Sequence, residues 1–217
     1  MDNKLYEGYS KTRFVFNKKR AIAWQEISRY LQRYIKKDAH ILELGSGYCD
    51  FINNIMASKK YAVDKFIDPN KYANSDVLSI FGDFKKIKSD ITDHSLDYVF
   101  ASNFFEHLNL KDMEKYFEII KRKLKIGGKI IIIQPNYRLC SKNYFDDYTH
   151  EKAWSDISLA DYLKKEMFSI CLIKSRFLPF SMKSRIPKTK LLVRLYLNFP
   201  IKPLGKQMLI IAQYGKK

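Results

Sequence analysis

Cysteine is scarce. The 217 residues hold three, Cys49, Cys140 and Cys171, far apart and without a CxxC pair. That spacing gives neither a disulfide framework nor a cysteine-ligated metal centre, and it points to a reducing, cytoplasmic setting. Long apolar runs are missing too: nothing approaches the ~20 residues of a membrane-spanning helix. The most apolar stretch, residues 129–133, has the length of a buried strand. The opening MDNKLYEGYSKTRF lacks the apolar core of a signal peptide. Acidic residues are few, 23 against 40 Lys and Arg, for a net charge of +17. Such a balance suits nucleic acid, an anionic membrane surface or a phosphorylated substrate, and equally a lysine-rich coding habit, so charge alone chooses no partner. Apolar residues make up 46%, enough for a sizeable core, and the length fits one domain with decoration.

The chain is organised around residues 40–51, HILELGSGYCDF. Ile41, Leu42 and Leu44 form a short apolar run that carries Glu43 and breaks into Gly45-Ser46-Gly47. Phe51, Ile52, Ile55 and Met56 then share one face of a helical pattern. Strand, glycine turn and helix form the opening unit of a ligand-binding α/β sheet. The glycines permit positive φ and, lacking Cβ, let a ligand lie against the backbone. A dinucleotide fingerprint would need a third glycine where Asp50 stands. Glu43 and Asp50 also make the turn a poor seat for a bare pyrophosphate. They suit a nucleoside that carries an amino group and a positive sulfonium. The stretch resembles motif I of the class I S-adenosylmethionine (SAM) methyltransferases, an acid followed by G-x-G-x-G. Glu43, Gly45 and Gly47 match, and Cys49 replaces the last glycine, small enough to begin the helix. A glycine turn with no cofactor is the alternative reading.

Further motifs follow in order. Residues 61–63 read as a strand ending in Asp64, about 20 residues past the glycine turn, where one carboxylate accepts both hydroxyls of a ribose. FIDPNKYANS, with Pro69 and turn formers, predicts a shortened second helix. Residues 77–81 predict a third strand, ending in Gly82-Asp83-Phe84. This resembles the family's G-D motif, which implies that Asp83 accepts from the adenine amino group and Phe84 touches the ring. Residues 96–101 predict a fourth strand, and SNFFEH after it, with Asn103, resembles the family's segment at the crevice where donor methyl and acceptor meet. The D/N-P-P-Y/F signature of nucleobase amine methylation is absent, which lowers the nucleic-acid reading. Residues 111–125 predict an amphipathic helix closed by Gly127-Gly128, and residues 129–134 a strand buried on both faces.

The acceptor side is expected in the polar, aromatic loop 136–154. Asp146, Asp147, Tyr148 and His150 are candidates for binding acceptor hydroxyls, and Arg138 and Lys142 for an acceptor phosphate. His107 and His150 are the candidate bases, because an alcohol acceptor needs its proton removed near neutral pH. A structural, packing role for His107 is the alternative. Some quinone O-methyltransferases hold a metal on E-x-x-E-H here; Asn103 replaces the first acid, so no metal is expected. Residues 158–165 predict a helix, 168–173 a strand and 208–212 a final strand pairing antiparallel. Between the last two, residues 176–206 interleave apolar and basic side chains, as a cap over the substrate pocket or a segment lying on an anionic membrane.

The expected fold is α/β: a Rossmann-like class I methyltransferase, a seven-stranded, mostly parallel sheet with its last strand antiparallel, in a three-layer αβα sandwich. Residues 1–36 form an arm and a leader helix (18–35) packed on the core, the arm folding over the cofactor or not; residues 37–217 form the SAM-binding domain. GYCDFINNI and FLPFSMKSRIPK…LVRLYL…GKQ resemble bacterial methyltransferases associated with surface-polysaccharide synthesis. The resemblance implies O-methylation of a small molecule or glycan, a sugar that is nucleotide- or lipid-linked, with SAM as cofactor and S-adenosylhomocysteine as product. It also allows a peripheral position at the inner face of the membrane. An RNA methyltransferase and a non-catalytic SAM-fold scaffold are the alternatives.

Overall fold

The computed structural model describes residues 8, 15–86, 90–179 and 189–215. Seven strands form one sheet: β1 (His40–Leu44), β2 (Lys59–Asp64), β3 (Val77–Phe81), β4 (Leu96–Ser102), β5 (Leu124–Pro135), β6 (Phe168–Pro179) and β7 (Gly205–Tyr214). Their order is β3-β2-β1-β4-β5-β7-β6. All neighbouring pairs from β3 to β5 are parallel, and β7 runs antiparallel to both β5 and β6. This is the expected architecture. The chain winds outward from β1 in one direction, then returns through β4 to the other side. Such a reversal opens a crevice at the carboxyl ends of β1 and β4.

Strand side chains alternate between two cores. Leu42, Leu44, Val99 and Ile132 face one cluster with α2 (Leu110–Lys123) and α4 (Asp156–Lys165). Ile41, Phe100, Ile131 and Ile133 face the other with α1 (Lys18–Leu31). Asn17 caps α1 and Asn109 caps α2, each accepting a backbone N–H of the first turn. Lys121, Arg122 and Lys123 in the last turn of α2 complement its dipole.

Four expectations need correction. The helix after β1 is replaced by turns and a single 3-10 turn, Ile52–Asn54. Gly45, Gly47 and Cys49 all adopt positive φ (65°, 51° and 57°), so helical backbone cannot start at Cys49. Phe51, Ile52 and Ile55 are buried as predicted, whereas Met56 is exposed. Next, α2 ends at Lys123, because Leu124 enters the core and pairs with Leu96, so Gly127-Gly128 lies inside β5 and is no helix cap. The loop after β5 contains a helix, α3 (Tyr137–Tyr144). Finally, α5 (Lys190–Asn198), in the late insertion, packs against α1 and contributes no residue to the crevice. It is held there by the Arg194–Glu26 ion pair, with contacts of 2.9 and 3.1 Å, and by Val193 and Leu197. A cap over the pocket is therefore not what α5 forms. Of the arm, residues 1–7 and 9–14 lie outside the described residues, as do 180–188 of the insertion.

Candidate functional site

The glycine turn is folded back on β2 by hydrogen bonds from Gly45 N (2.9 Å) and Ser46 N (3.1 Å) to the Val63 carbonyl. Gly45 has two reasons to lack a side chain. Its φ is +65°, and a Cβ would stand 2.5 Å from Cδ2 of Phe104. At the end of β2, Asp64 fastens the same turn: Oδ2 accepts from Gly47 N (2.8 Å) and Oδ1 from Phe66 N and Ile67 N (2.8 and 2.9 Å). A carboxylate accepts about four hydrogen bonds, so Oδ2 retains capacity for one more. Burial raises the Asp64 pKa despite these three donors.

Glu43, at the core of the turn, accepts from Ile52 N (3.0 Å). Burial pushes its carboxyl well above the usual range, the Ile52 N–H opposing and the charges of Asp50 and Asp64 adding. Asp50 is likewise raised by burial, against the pull of Arg20, whose Nε lies 2.8 Å away. A crevice walled by such carboxyls favours a cationic ligand, whose charge would offset the cost of ionising them. Just past β3 the wall continues with Gly82, Asp83 and Phe84. Asp83 Oδ1 accepts from Tyr116 Oη (3.2 Å) and Lys85 N (3.0 Å), and Phe84 is buried, stacked on Tyr116.

Beyond β4 the backbone turns at Asn103, with φ +49°, into a 3-10 turn, Phe105–His107. Glu151 N and Lys152 N donate to the Glu106 carbonyl (2.8 and 3.2 Å), binding the loop after α3 onto this turn. The His107 and His150 rings then lie 5.0 Å apart. His107 Nδ1 faces the Thr149 carbonyl (3.1 Å) and Thr149 Oγ1 (2.9 Å), and that hydroxyl donates to Asp147 Oδ1 (2.6 Å). A carbonyl only accepts, so Nδ1 carries the proton and Nε2 the lone pair. Burial and the neighbouring His150 push the His107 pKa down to about 4, so the ring is neutral at pH 7. Burial pushes Glu106 up to about 8, with the Asp147 charge adding.

These elements line one crevice of about 570 Å³. It brings together Glu43, Gly45, Ser46 and Asp64 from the first two strand ends with the β3 residues, Asn103, His107, Asp147 and His150. Gly47 acts from behind, on Asp64. The other acceptor candidates do not line it: Asp146 accepts from Asn143, Tyr148 is exposed, and Arg138 is paired with Asp156 at 3.2 Å. The sequence reading passed over Arg20 and Trp24, which bring the leader helix to the crevice, and Thr149, which orients His107. An aromatic and a cation one helical turn apart in α1 were the available signal for the first two. Glu106, His107 and His150 offer ligand atoms within 4.8 Å of one another, a set that can hold a metal ion. The motif around Glu106 alone did not announce it, because His150 comes from a different loop.

The Methyltransf_11 family, a methyltransferase domain, matches residues 42–132. No curated protein sequence matches the chain. Among solved structures, a SAM-dependent methyltransferase from Archaeoglobus fulgidus is 20% identical, covering 96% of this chain and 98% of its own, with a TM-score of 0.64. An S-adenosylmethionine-dependent methyltransferase from Clostridium acetobutylicum is 14% identical over 99% of both chains, with a TM-score of 0.60. A structure described as a methyltransferase in complex with the Haloferax volcanii Trm112 methyltransferase activator gives 13% identity, complete coverage of both chains and a TM-score of 0.70. Residues 42–132 thus match a methyltransferase-domain family, and the chain as a whole has the fold of these S-adenosylmethionine-dependent methyltransferase structures.

Proposed function

We propose that the protein methylates a hydroxyl oxygen of a small-molecule or glycan acceptor, a sugar that is nucleotide- or lipid-linked, as in surface-polysaccharide synthesis. The observation that carries this reading is His107 lining the crevice beside His150, its Nδ1–H turned to the Thr149 carbonyl and the Thr149 hydroxyl held in turn by Asp147. An alcohol requires such a base; a neutral amine brings its own lone pair.

The residues fit SAM. Gly45 lets the Phe104 ring close on the glycine turn at the crevice wall, and three carboxyl groups close adjacent strand ends. In this reading Glu43 serves the amino group, Asp64 the ribose diol and Asp83 with Phe84 the adenine, while Gly45, Ser46, Gly47, Gly82 and Asn103 shape the wall. When bound, SAM supplies an electrophilic methyl on a sulfonium leaving group, so the chain's task is alignment and proton removal. Asp147 holds Thr149, Thr149 holds His107, and His107 Nε2 receives the acceptor proton, with His150 beside it as the second candidate. No metal takes part in this scheme. A lipid-linked acceptor would bring the enzyme to the inner face of the membrane as a peripheral protein.

The test is turnover. S-adenosylhomocysteine release is followed across nucleotide sugars, lipid-linked sugars and bulk tRNA, with and without a chelator. Turnover on a sugar that survives chelation and collapses in His107→Asn supports the reading. Turnover on tRNA alone, or SAM binding without any turnover, overturns it.

A further inference from the structure

The last acidic residue in the chain is Glu166, and the 51 residues after it hold eleven Lys and Arg. The apolar and basic side chains of this region are sorted by the fold. Val193, Arg194 and Leu197 of α5 turn inward to α1. Leu191, Leu195, Phe199 and Ile201 are left 63, 58, 57 and 66% exposed, and Leu192 and Leu204 are exposed as well. Large apolar side chains this dense over one short segment are unusual on a surface that faces only water.

Beside them lies a second cavity, of about 370 Å³, whose rim includes Phe199 and Pro200. Arg33, Lys174, Arg176 and Lys202 line it, and no carboxylate does. None of these four cations forms an ion pair with an acid among the described residues. Their hydrogen bonds go to neutral acceptors: Arg33 to Asn198 Oδ1 (3.1 Å), Arg176 to the Gly205 carbonyl (3.2 Å), and Lys202 to the carbonyls of Tyr196 and Phe199. Lys202 is 9% exposed, and burial together with the charge of Lys174 makes its ammonium easier to deprotonate. Four positive groups converging without a counter-charge form a seat for an anion.

We infer that α5 and the adjoining cavity form a docking surface for an anionic lipid bilayer, with a headgroup phosphate among Arg33, Lys174, Arg176 and Lys202 and the exposed apolar side chains in the acyl boundary. Charge complementarity selects an anionic partner, and the apolar strip at the cavity's rim selects a bilayer over a nucleic acid, whose phosphates offer nothing for leucines to enter. The surface shares no residue with the crevice and stands whatever the methyl acceptor is.

The test is flotation of the full chain with phosphatidylcholine vesicles containing about 30% phosphatidylserine. Wild type is expected to co-float at low salt, to be released by high salt, and to ignore pure phosphatidylcholine. Leu191→Ser with Leu195→Ser, both exposed, should cut binding about tenfold while thermal unfolding stays unchanged. Lys174→Glu should do the same through the cavity. No co-flotation with anionic vesicles at low salt overturns the inference. So does binding unaffected by the leucine changes but competed by inorganic phosphate or by bulk tRNA, which marks a free-anion or nucleic-acid site.

Discussion

At the glycine-turn side of the crevice, Glu43, Asp64 and Asp83 each stand at or just past the end of a strand, and each is fastened by backbone N–H groups within a few residues or across one neighbouring strand. At the histidine side, His107 and His150 meet because loop 147–152 is bonded across to the turn after β4, 42 residues distant. The first wall is local geometry repeated three times along a sheet. The second is a single long-range junction, in which Thr149 fixes the tautomer of His107. Damage to the first should therefore appear in cofactor affinity, and damage to the second in the chemical step.

The largest expected effect is His107→Asn, which should lower kcat about 10³-fold and leave SAM affinity unchanged, as steady-state rates and calorimetry would show. Equal loss of both would erase the division between the walls. Asp64→Ala should weaken SAM binding about 100-fold by calorimetry, and circular dichroism would check that the turn it fastens still folds. Glu106 sharpens the contrast through pH. Its folded pKa is raised to about 8, so the fold favours the protonated carboxyl: that stability is complete below about pH 4.5 and is lost as pH rises through 8. Between pH 6 and 9, wild type should lose about 2–3 kcal/mol more than Glu106→Gln in denaturant titrations. The His107 shift has the opposite sense, its pKa falling to about 4, so the rate should show no inflection near 6.5 on its account. Smallest is Thr149→Val, which should lower kcat about tenfold with KM little changed and shift the pH profile, a readout that simple loosening of the loop would not move.

This contrast also explains what could be read in advance. Gly45, Asp64 and Asp83 were legible because a strand end, a glycine and an acid suffice to define each position, and sequence neighbours carry all three. His107 and His150 were legible as candidates singly, but their meeting was not, since it depends on which loop the Glu106 carbonyl accepts from. Cys49 misled in a specific way: its size suits a helix start, yet it sits at φ +57°, a backbone state that side-chain size does not report. The unbroken apolar run at 129–133 marked β5 as a strand buried on both faces, while the insertion between the last two strands stayed ambiguous. Its resting place was decided by Arg194 reaching Glu26, 168 residues earlier.

The sheet order carries one more consequence. Among the described residues β6 pairs with β7 alone, and β7 follows it in sequence. As synthesis proceeds, the five parallel strands are complete at Pro135, and β6 emerges with no strand beside it. Until Gly205–Tyr214 arrives, β5 keeps an open, isoleucine-rich edge and β6 a second one. β7 closes both at once. β7 is thus the keystone of the sheet, and a ribosome-bound chain lacking it would be a natural client for a chaperone.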